Sequence, residues 1–291
     1  MSPLERETNN LKIIKAADGT ELFIKTWKVP EGIPRRGAVL VVHGVGEHCF
    51  RYNHVAVFLN SMGLEVRGYD HRGFGRSGGK RAVLPANNTF VEDLKLVFDS
   101  YTVETASQGD NYLPFLMGHS MGGCIAAKAC TDGLIKPRGI ILSSPGLLPN
   151  ISGFKKQLVK LLLKLVPDKQ VPSGLPISKI SRDKTVVKAY KNDPFCHDLV
   201  TPRVVEFMLT GGKQAIEDAR KLTMPTLLLV SGSDNFVKPE GSIAFHKNLP
   251  EGLGKIHIYD NLYHEILNEI IADRQCVFND LKTWIEIQLE N

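Results

Sequence analysis

The alternation of short apolar runs with amphipathic segments is the feature that most restricts how this chain can fold. From the third run onward, most runs are separated by helical patterns, which predicts a mainly parallel sheet with helices on both faces. Asp18 and Gly19 lie between the first two runs, and this short connection predicts an antiparallel hairpin. The eight predicted strands are residues 11–16, 22–27, 38–42, 64–69, 113–117, 139–142, 226–230 and 255–259.

The gap between the sixth and seventh runs, about residues 146–224, is far longer than one crossover requires. We expect this segment to form a helical lid over the carboxyl ends of the strands, where α/β sheets bind their ligands. Residues 1–145 and 225–291 then form the two parts of one core, and 43% hydrophobic content is enough to fill it. The predicted fold class is therefore α/β, with an eight-stranded, mostly parallel sheet and an inserted lid.

Residues 118–122, with the sequence GHSMG, follow the fifth run and precede an alanine-rich helical segment at residues 124–130. This context predicts a strand, a sharp turn and a helix. Glycines two positions either side of Ser120 permit the strained turn that exposes its hydroxyl group. Ser120 is therefore the predicted nucleophile. A chance match to a five-residue pattern is the alternative, which further residues must exclude.

A serine nucleophile needs a histidine to take its proton and a carboxylate to orient that histidine. In hydrolases with this turn, the acid and then the histidine follow the serine, on loops after later strands. Asp234 ends the polar loop after the run at residues 226–230, and His264 follows the run at residues 255–259. The chain order therefore predicts a triad of Ser120, Asp234 and His264.

Other histidines and acids have competing structural explanations. His257 lies within a predicted strand and is the alternative base, whereas His246 lies in a helical pattern and is expected at the surface. His119 adjoins the nucleophile on a tight turn, so its side chain is expected to point away from the serine. Asp193 and Asp198 lie in a polar, irregular region, where turn formation is the expected role.

Attack on a carbonyl group creates an oxyanion, which paired N–H donors stabilise. One expected donor is the backbone N–H of Met121, the residue after the serine. The other is expected in the loop after an early strand, where residues 43–48 have the sequence HGVGEH. Gly44 and Gly46 allow the N–H of Val45 to point inward. Ordinary turn formation by these glycines is the alternative.

Taken together, these motifs resemble the monoacylglycerol lipase family of lysophospholipase-like serine hydrolases, within the α/β-hydrolase superfamily. The resemblance covers nearly the whole chain and implies the α/β-hydrolase fold and the same triad. It implies glycerol monoesters as substrates, and lysophospholipids as an alternative. The most specific matching runs are residues 43–48 (HGVGEH), 70–77 (DHRGFGRS) and 118–123 (GHSMGG).

The resemblance also assigns three polar residues to the alcohol end of the substrate pocket: Glu47, Arg51 and Tyr190. A plain ion pair between Glu47 and Arg51, four residues apart on a helix, is the alternative. The predicted mechanism needs no metal and no organic cofactor. A carboxylesterase with the same triad is a second reading of the activity. A lipid-binding module that has lost its chemistry is disfavoured because all three triad residues are present.

A leucine-rich, basic segment at residues 154–166 lies within the predicted lid. Lys156, Lys160 and Lys164 share one helical stripe, and leucines occupy most of the remaining circumference. Two roles remain open for this helix: a roof over the acyl chain of the substrate, and contact with a membrane interface. In the first role, the expected lining residues are Leu158, Leu161, Leu162 and Leu165.

Charge is concentrated in the predicted lid. Residues 151–221 carry 14 lysines and arginines against 7 acidic residues, while the net charge of the whole chain is +5. We expect transient contact with a lipid surface rather than with nucleic acid, because no aromatic interleaving or nucleic-acid motif accompanies the charge. The oligomeric state does not follow from the sequence.

The five cysteines show no paired or metal-ligand spacing, which argues against a disulfide framework. Residues 1–10 are polar and mixed in charge, unlike a signal peptide. Apolar spans stay shorter than the roughly 18 residues of a membrane-spanning helix. The predicted location is the cytoplasm, with peripheral contact to membranes or lipid droplets.

Overall fold

The computed structural model describes residues 10–109 and 112–290, so the polar segment at residues 1–10 lies almost wholly outside it. Eight strands of this part form one sheet, and β7 and β8 form a separate antiparallel pair. In chain order the strands are β1 (Leu11–Lys15), β2 (Glu21–Trp27), β3 (Gly37–Val42), β4 (Leu64–Tyr69), β5 (Phe115–His119), β6 (Ile140–Ser143), β7 (Val171–Pro172), β8 (Leu199–Val200), β9 (Thr226–Ser231) and β10 (Gly254–Tyr259).

The strand order in the large sheet is β1-β2-β4-β3-β5-β6-β9-β10. β1 pairs with β2, and β2 with β4, in antiparallel fashion, and the remaining neighbours are parallel. The predicted eight-stranded, mostly parallel α/β sheet is confirmed, including the first hairpin. The fifth strand begins two residues later than expected, after Pro114, whose missing N–H cannot donate to a neighbouring strand.

Helices cover both faces of the sheet, as predicted. Successive residues of β3 point to opposite faces, so Leu40 packs into one apolar core and Val41 into the other. Helices α2, α3, α6 and α7 cover the first face, and α1 and α8 cover the second. The helices are α1 (Asn53–Ser61), α2 (Thr89–Ser107), α3 (Met121–Thr131), α4 (Gly153–Leu165), α5 (Lys184–Asn192), α6 (Pro202–Asp218), α7 (Pro239–Asn248) and α8 (Ile271–Glu290).

The last helix begins later than the apolar periodicity indicates. The apolar periodicity after His264 predicts a helix over residues 265–289, but a 3₁₀ turn at Ile266–Asn268 precedes α8. The carboxylate of Glu269 accepts hydrogen bonds from the backbone N–H groups of Tyr263 and Ile270, at 2.8 and 3.2 Å. Glu269 itself is extended, with φ −73° and ψ 173°. These bonds hold the chain out of helical geometry until Ile271.

Residues 144–225 leave the sheet between β6 and β9, which nevertheless pair directly. Helix α6, capped by the Thr201 hydroxyl, buries Val204 and Phe207 in the main core, whereas α4 contains no buried residue. The predicted lid therefore includes a helix that packs as part of the core and a helix that lies over the surface. Its boundaries at residues 146 and 224 stay a prediction.

Candidate active site

Ser120 lies at the turn between β5 and α3. Its φ of 52° and ψ of −121° are unusual for a residue with a side chain, and such strain is concentrated at functional sites. A Cβ atom on Gly118 would lie 2.5 Å from the carbonyl oxygen of Gly122, and one on Gly122 would lie 2.2 Å from that of Val42. The two glycines therefore allow α3 to approach the strands closely. The predicted strand, sharp turn and helix are present.

The structure brings Ser120, His264 and Asp234 together from three separate loops. The Nε2 atom of His264 lies 2.8 Å from the Ser120 Oγ, and its Nδ1 atom lies 2.6 Å from the Asp234 Oδ2. The other oxygen of Asp234 accepts hydrogen bonds from the backbone N–H groups of Phe236 and Val237, at 2.7 and 3.1 Å. These two bonds hold the carboxylate in place independently of its contact with the imidazole. This chain of contacts is suited to moving a proton off the serine.

Charge interactions support proton transfer at His264. Burial of the ring lowers the pKa of His264, but the adjacent Asp234 carboxylate outweighs this effect, so the pKa is raised. For the acid Asp234, burial has the opposite effect and raises the pKa. The interaction with His264 outweighs burial, so the pKa of Asp234 is lowered. The ring of Phe236 stacks on His264, with 4.7 Å between centroids. The imidazole is therefore oriented by Phe236, which packs on one face of the ring, and by Asp234, which contacts its Nδ1 atom.

The other histidines considered as the base make no hydrogen bond with Ser120 among the described residues. His257, on β10, contacts Asp280 at 3.2 Å, and His246 lies on α7. The ring of His119 packs 4.9 Å from that of His264, and its Nδ1 atom lies 3.1 Å from the carbonyl oxygen of Ser143 and 3.2 Å from the Ser143 Oγ. Burial lowers the pKa of His119 to about 4, so its ring is neutral near pH 7. A neutral ring can pack beside the imidazole of His264 without competing for its proton.

The acids set aside from the triad also lie away from Ser120. The carboxylate of Asp193 accepts a hydrogen bond from the backbone N–H of Phe195 at 2.9 Å, which is a turn contact. Its other oxygen lies 2.8 Å from His48 Nε2. Together with Cys196, these two residues are the one set of potential metal ligands within 4.8 Å of one another in the described part of the chain. Burial raises the pKa of the Cys196 thiol, which disfavours the thiolate that a metal requires.

Val45 and Met121, the predicted oxyanion donors, flank Ser120. Among the turn and loop backbone hydrogen bonds of residues 10–109 and 112–290, none is donated by either backbone N–H. The N–H of Gly44 donates to Glu47 Oε1 at 2.7 Å, and the carbonyl oxygen of Gly44 lies 2.7 Å from His43 Nδ1. These contacts hold the peptide unit that carries the Val45 N–H. Val45 lines the cavity beside Ser120, and the role of the two N–H groups as oxyanion donors stays a prediction.

A cavity of about 520 Å³ lies beside Ser120 and His264. Its volume falls within the range of small-molecule sites. Leu158 and Leu162 line it from α4, as expected, but the expectation for Leu161 is wrong. Successive helical residues are rotated by about 100°, which turns Leu161 outward when Leu162 faces the cavity. The side chains of Leu161 and Leu165 are 54% and 69% exposed.

Polar residues line the cavity where residues 43–48 meet the loop after β10. Glu47, Tyr190 and Glu265 are part of the lining, whereas Arg51 is not. An Nη1 atom of Arg51 lies 2.8 Å from Glu47 Oε2, so the ion pair considered above exists, but it spans a turn and a 3₁₀ helix. The guanidinium also lies 4.9 Å from the Tyr190 ring centroid. Burial opposes ionisation of Glu47, yet Arg51 and nearby groups lower its pKa to about 2.

Glu265 is a residue of the site that the sequence reasoning missed. Its two carboxylate oxygens accept hydrogen bonds from the two Nη atoms of Arg51, each at 2.7 Å. Because Glu265 follows His264 directly, its position beside the base was available from the sequence. It was assigned instead to the first turn of the last helix, since the partner Arg51 is far away in the chain.

Known proteins resemble this chain over most of its length. The Hydrolase_4 family model, described as serine aminopeptidase, S33, matches residues 33–271. A monoacylglycerol lipase from Mycolicibacterium smegmatis is 34% identical and covers 92% of this chain and 93% of its own length. An uncharacterized abhydrolase domain-containing protein from Dictyostelium discoideum is 30% identical over 98% of this chain, which spans only 30% of that longer protein.

The structural comparison extends the similarity to three dimensions. The crystal structure of a Paleococcus ferrophilus monoacylglycerol lipase superposes with a TM-score of 0.81 and 30% sequence identity, covering 92% of this chain and 99% of that one. Separately, none of the helices among the residues that the structure describes has the length and apolar character needed to cross a bilayer.

Proposed function

The chain belongs to the monoacylglycerol lipase family of the α/β-hydrolase superfamily, and from this premise we propose that it cleaves monoacylglycerols to a fatty acid and glycerol. The observation that carries the proposal is the continuous contact from Asp234 through His264 to Ser120 at the wall of a cavity. That cavity has leucines on one side and carboxylates on another. A monoacylglycerol has the same division between an apolar chain and a polar alcohol.

In the proposed mechanism, the Ser120 Oγ attacks the ester carbonyl carbon while its proton passes to His264 Nε2. Asp234 stabilises the resulting imidazolium, and the N–H groups of Val45 and Met121 donate to the oxyanion. His264 then returns the proton to the departing glycerol oxygen, leaving an acyl-enzyme. A water molecule, deprotonated by the same histidine, attacks this ester and releases the fatty acid.

The apolar lining supports a long acyl chain as the part that gives affinity. Leu158, Val159 and Leu162 contribute from α4, and Met208 contributes from α6. Each methylene group transferred from water to such a surface is worth about 0.8 kcal/mol. Long-chain esters are therefore expected to be preferred over short, water-soluble esters.

Exposed apolar residues on α4 support transient contact with a lipid surface. Phe154, Leu158, Leu161 and Leu165 recur at the spacing of one helical stripe and are 79%, 42%, 54% and 69% exposed. Exposed lysines of the same helix, such as Lys160, are able to contact anionic headgroups. We infer that the protein associates peripherally with membranes or lipid droplets from the cytoplasm through this stripe.

The nucleophile is tested by Ser120→Ala, with Ser107→Ala on the exposed end of α2 as the control. Ser120→Ala is expected to abolish labelling by a fluorophosphonate probe and to lower fatty-acid release from monooleoylglycerol by at least about a thousandfold. Ser107→Ala is expected to behave as the wild type. Labelling that persists in Ser120→Ala contradicts the assignment of the nucleophile.

The substrate is tested separately by comparing monooleoylglycerol, oleoyl-lysophosphatidylcholine and p-nitrophenyl butyrate. We expect the highest kcat/KM for the monoacylglycerol, because it is neutral and fills both sides of the cavity. Faster release from the lysophospholipid favours a lysophospholipase, and faster release from the butyrate favours a broad carboxylesterase. No turnover of any of the three favours a binding module.

A further inference from the structure

Glu265 places a second buried carboxylate at the wall of the cavity, directly beside His264. The residue is 5% exposed and lines the cavity. Its backbone N–H donates to the carbonyl oxygen of Ile180 at 2.8 Å, and its Oε2 accepts a further bond from Asn268 Nδ2 at 3.1 Å. The backbone of Glu265 is thus fixed by Ile180 and its carboxylate is oriented by Asn268.

Glu47 lies close to the nucleophile. A Cβ atom on Gly44 would be 2.9 Å from Glu47 Oε1 and 3.1 Å from the Cβ of Ser120, so both groups border the same small space. Glu47 Oε1 also accepts a hydrogen bond from Tyr52 at 2.8 Å. Two carboxylates, from Glu47 and Glu265, therefore border the region where the alcohol half of an ester at Ser120 must lie.

One cation serves both carboxylates. The Nη1 atom of Arg51 contacts Glu47 at 2.8 Å and Glu265 at 2.7 Å, and its Nη2 atom contacts Glu265 at 2.7 Å. Arg51 is not among the residues that line the cavity, and both of its Nη atoms donate to these carboxylates. Of the other cations, Lys155 lines the cavity from α4, next to the apolar residues of that helix. The cluster of Glu47, Arg51 and Glu265 thus has one excess negative charge.

We propose that Glu265 is a specificity-determining residue, which with Glu47 selects esters of uncharged alcohols and rejects esters whose alcohol carries a phosphate or sulfonate. The inference rests on the proposed function, because it assumes that an ester reacts at Ser120. Carboxylate oxygens accept hydrogen bonds from free hydroxyl groups of an alcohol such as glycerol. An anionic group at the same place is repelled, and burial strengthens this repulsion relative to that in water.

Two laurate esters that differ only in charge test the proposal: 2-hydroxyethyl laurate and 2-sulfoethyl laurate. The wild type is expected to prefer the neutral ester by about a hundredfold in kcat/KM. Glu265→Gln neutralises the cluster and is expected to lower this ratio by about tenfold. Glu286→Gln, which removes a distant carboxylate paired with Arg36, is the control and leaves the ratio unchanged.

The variant Glu265→Asp tests whether a changed ratio in Glu265→Gln comes from a folding defect instead of the lost charge. It shortens the side chain but keeps the charge, so the neutral-to-anionic ratio stays near the wild-type value even where kcat falls. Thermal unfolding of each variant establishes that the ratios come from folded protein. An unchanged ratio in folded Glu265→Gln overturns the proposal. If Glu265→Gln does not fold, two other results overturn the proposal. One is a wild type that does not discriminate between the two laurate esters, and the other is loss of that discrimination in Glu265→Asp.

The pH profile separates a charge effect from a structural one. His264 is faced by Asp234, Glu47, Glu265 and His119, and the three carboxylates raise its pKa against the effect of burial. Loss of the Glu265 charge therefore lowers the pKa of His264. Because the neutral imidazole is the active base, the acid limb of kcat/KM for the neutral ester moves to lower pH in Glu265→Gln. A limb that stays in place overturns the proposal.

Monolauroylglycerol distinguishes failure of this inference from failure of the proposed function. A wild type that cleaves the two laurate esters, but not monolauroylglycerol, is not a monoacylglycerol lipase, and the ratio still decides the role of Glu265. A wild type that cleaves monoacylglycerol without discriminating between the laurate esters keeps its function and overturns the role of Glu265. Cleavage of none of the three overturns both.

Discussion

Single residues around Ser120 are constrained mainly by how closely the backbone of α3 approaches the sheet. Gly122 faces the carbonyl oxygens of Val42 and His43, at 2.2 and 2.4 Å from where its Cβ would be. These neighbours are backbone atoms and cannot rotate aside. The geometry of the nucleophile therefore depends on a residue that takes no part in the chemistry.

We predict that Gly122→Ala lowers the free energy of unfolding by at least about 2 kcal/mol, because the methyl group forces α3 away from β3. Gly153→Ala is the matched control. Gly153 begins α4, and a Cβ atom there would meet no other atom within 4 Å, so alanine is expected to be neutral or slightly stabilising. Urea denaturation measures both. Equal stability of the two variants contradicts this account of the turn.

At this scale the sequence predicted the residues whose positions follow from chain order and missed those that depend on distant pairing. Ser120, Asp234 and His264 were identified from a motif and from the ends of two predicted strands. Glu265 was not, because its partner Arg51 lies on another loop and leaves no local pattern. The packing of His119 against His264 likewise depends on where separate strands place their ends.

Among the elements, α4 is the helix whose two faces have separate environments. Leu162 faces the cavity and Leu161 faces outward, although the two residues are adjacent. The sequence predicted the helix and its charge stripe, since both follow from periodicity. It did not determine which leucines line the cavity, because that depends on how the helix is rotated, and none of its residues is buried in the core.

The adjacent leucines provide a matched pair of variants. Leu162→Ala is expected to lower kcat/KM for monooleoylglycerol about tenfold more than for p-nitrophenyl butyrate, because only the long chain reaches α4. Leu161→Ala is expected to leave both values in detergent solution unchanged. Steady-state assays on the two substrates measure this. A selective loss of long-chain activity in Leu161→Ala instead contradicts the observed rotation of the helix.

For the whole molecule, the basic residues and the exposed stripe lie in the same part of the chain. Residues 151–221 carry 14 basic against 7 acidic residues, which exceeds the net charge of +5 of the whole chain, and α4 lies within them. Attraction to anionic headgroups and burial of Phe154, Leu161 and Leu165 then act in the same orientation. The protein is expected to meet a lipid surface with α4 toward the headgroups.

Vesicle sedimentation tests this orientation. We predict stronger binding to vesicles that contain phosphatidylserine than to phosphatidylcholine alone, and a loss of that difference as salt is raised. Leu161→Ala is expected to weaken binding to both vesicle types, and Ser107→Ala on α2 to weaken neither. Equal binding by Leu161→Ala and the wild type contradicts contact through the stripe.

Strands β6 and β9 pair directly, although the chain between them includes α4 and part of the cavity lining. Both ends of the intervening segment are fixed at neighbouring positions of one sheet, whatever lies between them. Closing a longer connection adds only about 0.6 kcal/mol for each doubling of its length. We therefore predict that the stretch from Ile151 to Val200, which precedes α6, tolerates replacement where its contacts with Gly46 and Glu265 are kept. Replacing this stretch with a different segment is expected to change which esters enter the cavity. Ser120, Asp234 and His264 lie outside the stretch and are expected to keep their arrangement.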